Sequence, residues 1–230
     1  KVAMGEEAAD LVVRDAVLFD PFTKEFLPGH AIWVKHGRVA YSGEDLEPPV
    51  DSATVVIQAD GMVLLPGLID SHTHVVNRSG VEELVRYALR GGVTTVITET
   101  MELAPIVGKQ GITELISALK DQPLRFYYTV PALCGLTEEE ESNAPPPEEM
   151  IPLLEDPACV GVGEIYWGNA FLPGVQGQRV RKLLELSLER GKRVEGHTAG
   201  AGGKRLQAYT SMGVSSCHEP ITSEEVLQRL

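Results

Sequence analysis

The sequence predicts an α/β protein, a partial (β/α)8 TIM barrel of about six β-α units preceded by a small antiparallel β domain. Three observations predict it: short alternating strands fill residues 10–60, strand-like and helical segments alternate from residue 62 to the end, and no glycine-rich phosphate loop opens that alternation. The expected division is a β-sandwich-like domain over residues 1–61 and barrel strands one to six over residues 62–230.

The small domain rests on three segments. "DLVVRDAVLFD" (10–20), "AIWVKHGRVAYSG" (31–43) and "ATVVIQA" (53–59) alternate apolar and polar residues, and Lys35, His36 and Gly37 supply a hairpin turn. His30, beside a turn glycine, and His36, inside the turn, read as solvated surface residues.

From residue 62 the texture changes. "PGLIDSHTHVV" (66–76) is the first barrel strand. In "SGVEELVRYALRG" (79–91), Ser79 and Glu82 form a capping box before a helix with Val81, Leu84, Val85 and Leu89 at helical spacing. Strands then follow at 92–98, 124–130, 158–164, 193–197 and 214–219, separated by helices at 112–120, 148–156, 177–191, 203–212 and 223–230. Two parallel architectures hold such units. A doubly wound sheet wants GxGxxG where "DSHTHVVNRSG" offers histidines, whereas a closed barrel gathers its chemistry at the C-terminal ends of several strands.

The polar residues sort as the barrel requires. His72 and His74 end the first strand, Glu164 the fourth, His197 the fifth and His218 the sixth, so four of the six histidines reach one rim with one carboxylate. In an extended strand, residues two apart share a face, which lets His72 and His74 converge on one ion. Four imidazoles and a carboxylate suit a two-metal site, with His72 and His74 on one cation, His197 and His218 on the other, and Glu164 bridging. Two such cations acidify a shared water near neutral pH, and hydrolysis is the natural use. The donor set fits divalent zinc, iron or manganese without choosing among them.

Composition bounds the partners. With 33 acidic against 20 basic residues, the formal net charge of −13 repels polyanions, which argues against nucleic acid and leaves a small neutral molecule or a single nucleobase. No run of about 18 apolar residues and no charged-then-apolar leader is present, so neither a membrane span nor a signal peptide is expected. Three cysteines, Cys134, Cys159 and Cys217, lack CxxC spacing and favour a reducing, cytoplasmic setting over a disulfide framework. Cys134 and Cys159 read as buried apolar residues.

"PGLIDSHTH" after a small strand domain, with His197 and His218 on later strands, resembles the amidohydrolase superfamily of metal-dependent barrel hydrolases. "VGVGEIYWG" (160–168), "VEGHTAGAGGKRLQAY" (194–209) and "GVSSCHEPITSEEVLQRL" (213–230) look most like its adenine deaminases. In those enzymes the fourth-strand bridge is a glutamate, matched by Glu164. The fifth-strand histidine opens a glycine-rich loop, matched by His197, Gly200, Gly203, Leu206, Ala208 and Tyr209, and a His-Glu pair follows strand six, matched by His218 and Glu219. "GVTTVITETMELAPIVG" (92–108) tracks the second-strand segment. The chain departs from the pattern at Val76, across Glu99 to Glu102, at Tyr166 and Trp167, and at Cys217, where the relatives carry an aspartate.

The resemblance implies hydrolytic deamination of a purine-like ring on two divalent ions. It also implies an aspartate ending strand eight as proton shuttle. That aspartate lies outside these 230 residues, and since a barrel takes about 250 residues while roughly 170 follow the small domain, an N-terminal fragment is expected. Open sheet edges would then favour pairing with a second copy. Glu102 is a candidate catalytic or positioning group, and Glu99, Trp167 and Tyr209 are candidates for substrate contact. The alternatives are solvated loop carboxylates for Glu99 and Glu102 and helix packing for Tyr209. Two other functions stay open: hydrolysis of a cyclic amide, lactone or acyl-amino acid on the same metals, and an inactive metal-binding fragment.

Overall fold

The computed structural model describes residues 1–77, 80–133 and 141–230. It divides into two compact units, Lys1–Gly67 and Leu68–Leu230.

The first unit is built on strands β1 (Leu11–Asp20), β2 (Glu25–Lys35), β3 (Arg38–Glu44), β4 (Val55–Gln58) and β5 (Val63–Leu64). β1, β2 and β3 pair antiparallel, and β4 and β5 join β1 in parallel. His36 and Gly37 both take positive φ, 50° and 69°. Two such residues between paired strands match the twist of the strands they join, which is why the turn sits there. Val12, Ala31 and Trp33 form the core, and the Trp33 and Tyr41 rings stand 4.2 Å apart. His36 is exposed and its backbone N–H donates to Asp10; His30 is half-buried, its Nδ1 3.0 Å from the Pro28 carbonyl.

The second unit contains six parallel strands: β6 (Leu68–Thr73), β7 (Val93–Thr98), β8 (Arg125–Val130), β9 (Cys159–Tyr166), β10 (Arg193–His197) and β11 (Ser216–Cys217). Their spatial order is their sequence order. A doubly wound sheet reverses order at its midpoint, whereas a barrel does not, so the predicted α/β half barrel is the observed fold. Among the described residues the helices are α1 (Val81–Arg90), α2 (Ala104–Lys120), α3 (Ile151–Glu155), α4 (Trp167–Ala170), α5 (Gly174–Glu189), α6 (Lys204–Thr210) and α7 (Ser223–Arg229).

Burial follows from this layering. β9 is buried at all but two of its eight residues, as a strand covered on both faces should be. It joins Tyr128, Val130, Leu154, Leu183 and Val194 in the main core, with Cys159 buried beside them. The expected cap residue Ser79 and the cysteine Cys134 lie outside the described residues. Gly80 stands at the N-cap of α1 without a side-chain cap bond, whereas α7 begins with a complete box between Thr222 and Glu225. α2 starts at Ala104, eight residues before the expected start, because the chain turns at Gly108 (φ 59°) and resumes the helix beyond it.

Close approach of β9 and β10 depends on Gly161. A Cβ there would stand 2.0 Å from the Arg193 carbonyl oxygen. Gly161→Ala is therefore expected to force the two strands apart and cost about 3 kcal/mol, the upper end for overpacking, read by thermal melting. A melt matching the parent would show that the strands do not approach this closely. Among the described residues no helix is long and apolar enough to cross a membrane.

Candidate metal centre

Five side chains meet at the C-terminal ends of the parallel strands. His72 lies in β6 and His74 one residue past it, Glu164 lies near the end of β9, His197 ends β10, and His218 follows β11. Two triads result: His72, His74 and Glu164 form one, and Glu164, His197 and His218 form the other. Within each triad the possible ligand atoms lie within 4.8 Å of one another. Glu164 belongs to both.

The donor atoms face inward. His72 Nε2 stands 3.3 Å from His74 Nε2 and 3.7 Å from Glu164 Oε2, while His218 Nε2 stands 3.2 Å from the same carboxylate oxygen. The His72 and His218 rings stack at 3.5 Å. Glu164 Oε2 is buried, and neither imidazole reaches it in hydrogen-bond geometry. A buried acceptor without a donor is costly, and so are lone pairs directed at one another. A divalent cation relieves both at once, so the residues fit the metal their pattern predicts.

Electrostatics acts on the same atoms in both directions. Burial, with the neighbouring imidazoles His218, His74 and His197, pushes His72 down to about 4, so it is neutral at pH 7, the form that ligates. Burial raises Glu164, but the His218 imidazole against it and the charges of His197, His218 and His72 outweigh that and leave it below the usual carboxylate range. His74 is raised, chiefly by Glu102, whose Oε1 lies 2.5 Å from its Nδ1. Glu99 is buried at the end of β7, accepts a bond from Thr129 Oγ1 at 2.5 Å, and stands 3.6 Å from His72 Nδ1. Burial pushes its carboxyl up to about 8. Each HxH imidazole thus has a carboxyl beside its outer nitrogen.

A cavity of about 430 Å³ opens over the centre. Asn77, Met101, Glu102, Tyr166 and Glu219 line it together with the histidines and Glu164. Of the residues named for substrate contact, Trp167 half-buries at the start of α4, its Nε1 donating to Ala199 and the Arg205 guanidinium 5.4 Å over its ring. Tyr209 is fully buried, and its hydroxyl donates to the Ile165 carbonyl. Neither lines the cavity. Burial keeps the Tyr209 phenol well above its usual range, consistent with a packing position.

Tyr166 and Glu219 were not singled out as site residues in the sequence. The signal for Tyr166 is the one that marks HxH, because it stands two residues beyond Glu164 on the same strand face. Its ring lies 4.2 Å from His197, and burial, with the Glu164 charge, pushes its hydroxyl up to about 12. Glu219 Oε1 lies 3.3 Å from His218 Nε2 and 3.7 Å from His197 Nε2.

The chain is similar to known proteins. Adenine deaminase of Cenarchaeum symbiosum is 34% identical over 233 residues, covering 100% of this chain and 37% of that protein. Adenine deaminase of Deinococcus radiodurans is also 34% identical, over 234 residues, covering 100% of this chain and 42% of its own length. The chain thus spans about two fifths of the length of these relatives. A triazine hydrolase from Arthobacter aurescens shares the fold at a TM-score of 0.65 with 15% identity, covering 95% of this chain and 62% of that one. An N-acyl-D-glutamate deacylase from Bordetella bronchiseptica, solved with zinc, does so at 0.63 with 17% identity, covering 93% and 53%. Residues 63–230 match the amidohydrolase family. The chain belongs to the amidohydrolase family.

Proposed function

We propose that the protein is a metal-dependent hydrolase that deaminates adenine or a close purine relative, releasing ammonia. Metal dependence is a property of the family. His72 and His74 would hold one divalent ion and His197 and His218 a second, with Glu164 between them; zinc, iron and manganese all suit these donors. Bound there, such ions supply Lewis acidity and bring the ionisation of water near neutral pH.

The chain's own residues do the rest. Glu102 stands at His74 Nδ1 and Glu99 at the corresponding nitrogen of His72, the ring nitrogens away from the cluster. Tyr166 offers a flat apolar face to a ring. The observation that carries the substrate class is Glu219 on the cavity wall: with Glu164 given to the ions and Glu102 to His74, it is the lining carboxylate left to accept an N–H group of an aminopurine. The names of the whole-chain relatives support the same reading.

Metal-loaded protein given adenine is expected to release ammonia as the purine absorbance shifts. Adenine left intact while a cyclic amide is opened or an N-acyl-amino acid cleaved would overturn the substrate. A fully loaded protein inert to all three would leave an inactive metal-binding fragment.

The proposal extends to setting and assembly. A cytoplasmic location accords with free Cys159 and Cys217. Self-association accords with β6 and β11, each paired on one side only within the sheet, and light scattering at the monomer mass would refute it.

A further inference from the structure

We infer that Arg229 is a positioning residue for the second metal pair, acting through Thr198 and Cys217 to fix the spacing of His197 and His218. The inference rests on the two-ion reading of the site. The backbone ladder between β10 and β11 is short: Glu195 pairs with Ser216 and Gly196 with Cys217, and the ladder stops before either histidine. Side chains take over at that point.

Arg229, near the end of α7, donates from Nε to Thr198 Oγ1 at 2.8 Å and from Nη2 to the carbonyls of Thr198 and Ala201 at 3.1 and 3.2 Å. Its Nη1 donates to the Glu225 carbonyl at 2.6 Å, anchoring the side chain on its own helix. A guanidinium has donors only. Thr198 Oγ1 therefore accepts from Arg229, and with a proton to give and a second lone pair it also pairs with Cys217 Sγ, 2.6 Å away. The backbone N–H of Glu219 donates to the same sulfur at 3.4 Å. Thr198 directly follows His197, and Cys217 directly precedes His218. The chain from Arg229 through Thr198 to Cys217 thus ties the two strand ends together within one residue of each ligand, and it holds the imidazoles at a ring separation of 5.4 Å.

The test is cobalt(II) titration of the full chain, following visible absorption, with bound metal counted by elemental analysis. The parent and Thr198→Ser, which keeps the hydroxyl, are expected to bind two ions. Arg229→Met and Thr198→Val are expected to bind the first ion with parent affinity and the second about 10–100-fold more weakly, the range for losing an outer partner of a ligand. Thr198→Val, which deletes one hydroxyl, decides the matter if Arg229→Met fails to fold. Folded variants that keep both ions at parent affinity overturn the inference alone. A parent chain binding fewer than two ions overturns it together with the two-ion reading.

Discussion

Glu164→Ala is expected to leave fewer than two ions on the chain, with at least a hundredfold weaker binding of whichever ion remains. The magnitude follows from the geometry. Glu164 is the carboxylate common to both triads, and it is buried among His72, His197 and His218. Outer partners of a ligand are worth about 10–100-fold in metal affinity, and on the proposed two-ion reading Glu164 is a direct ligand of both, which should exceed that. Removing it also takes away the negative charge that offsets two cations, so the loss is electrostatic as well as coordinative. Glu164→Gln separates these contributions, since it keeps the volume and one oxygen but not the charge. Elemental analysis after gel filtration reads both variants, and an unchanged metal content in Glu164→Ala would remove the bridge from the account.

The largest expected loss of stability comes from a residue that is not one of the five proposed ligands. Arg179 on α5 is buried with Glu141, at 3.1 Å, and donates to the carbonyls of Ala132, Pro131 and Pro145. Arg179→Met keeps the stem but takes the guanidinium from a buried carboxylate and the donors from several carbonyls. Breaking a buried pair from one side costs about 3–5 kcal/mol. For a chain of this size that lowers the melting temperature by roughly 6–20 °C. The double variant Arg179→Met with Glu141→Met should recover the share owed to the broken ion pair, while the carbonyls still lack their donor. Equal melts for the single variant and the parent would mean that the cluster contributes nothing.

The centre was legible because its residues obey strand periodicity. His72 and His74 share a face by alternation, and His197 and His218 close strand-like segments, so the convergence on one rim was readable before any coordinates. Pairing at the outer nitrogens was not. Glu99 and Glu102 follow β7 in a turn, and which way a turn carboxyl points depends on the strand beside it, here on Thr129 and His74. Tyr209 reads from sequence either as a stacking ring or as helix packing, and α6 buries it where its hydroxyl meets the Ile165 carbonyl. Helix ends slipped for local reasons: "APIVGKQG" carries Pro105, Gly108 and Gly111, and such residues hide a helix from propensity while a kink accommodates them. β11 pairs over two residues where six were expected, because ladder length depends on its neighbour and not on its own composition.

The sequential strand order has a consequence for synthesis. Chains fold vectorially as they leave the ribosome, N-terminal parts first, and here each new β-α unit lands beside the one just made. Donors therefore arrive serially: the HxH pair with the first unit, the shared carboxylate three units later, and the last imidazole only when the sixth strand is laid down. On the proposed two-ion reading, the donors of the first triad are complete once the fourth strand is made and those of the second only with the sixth.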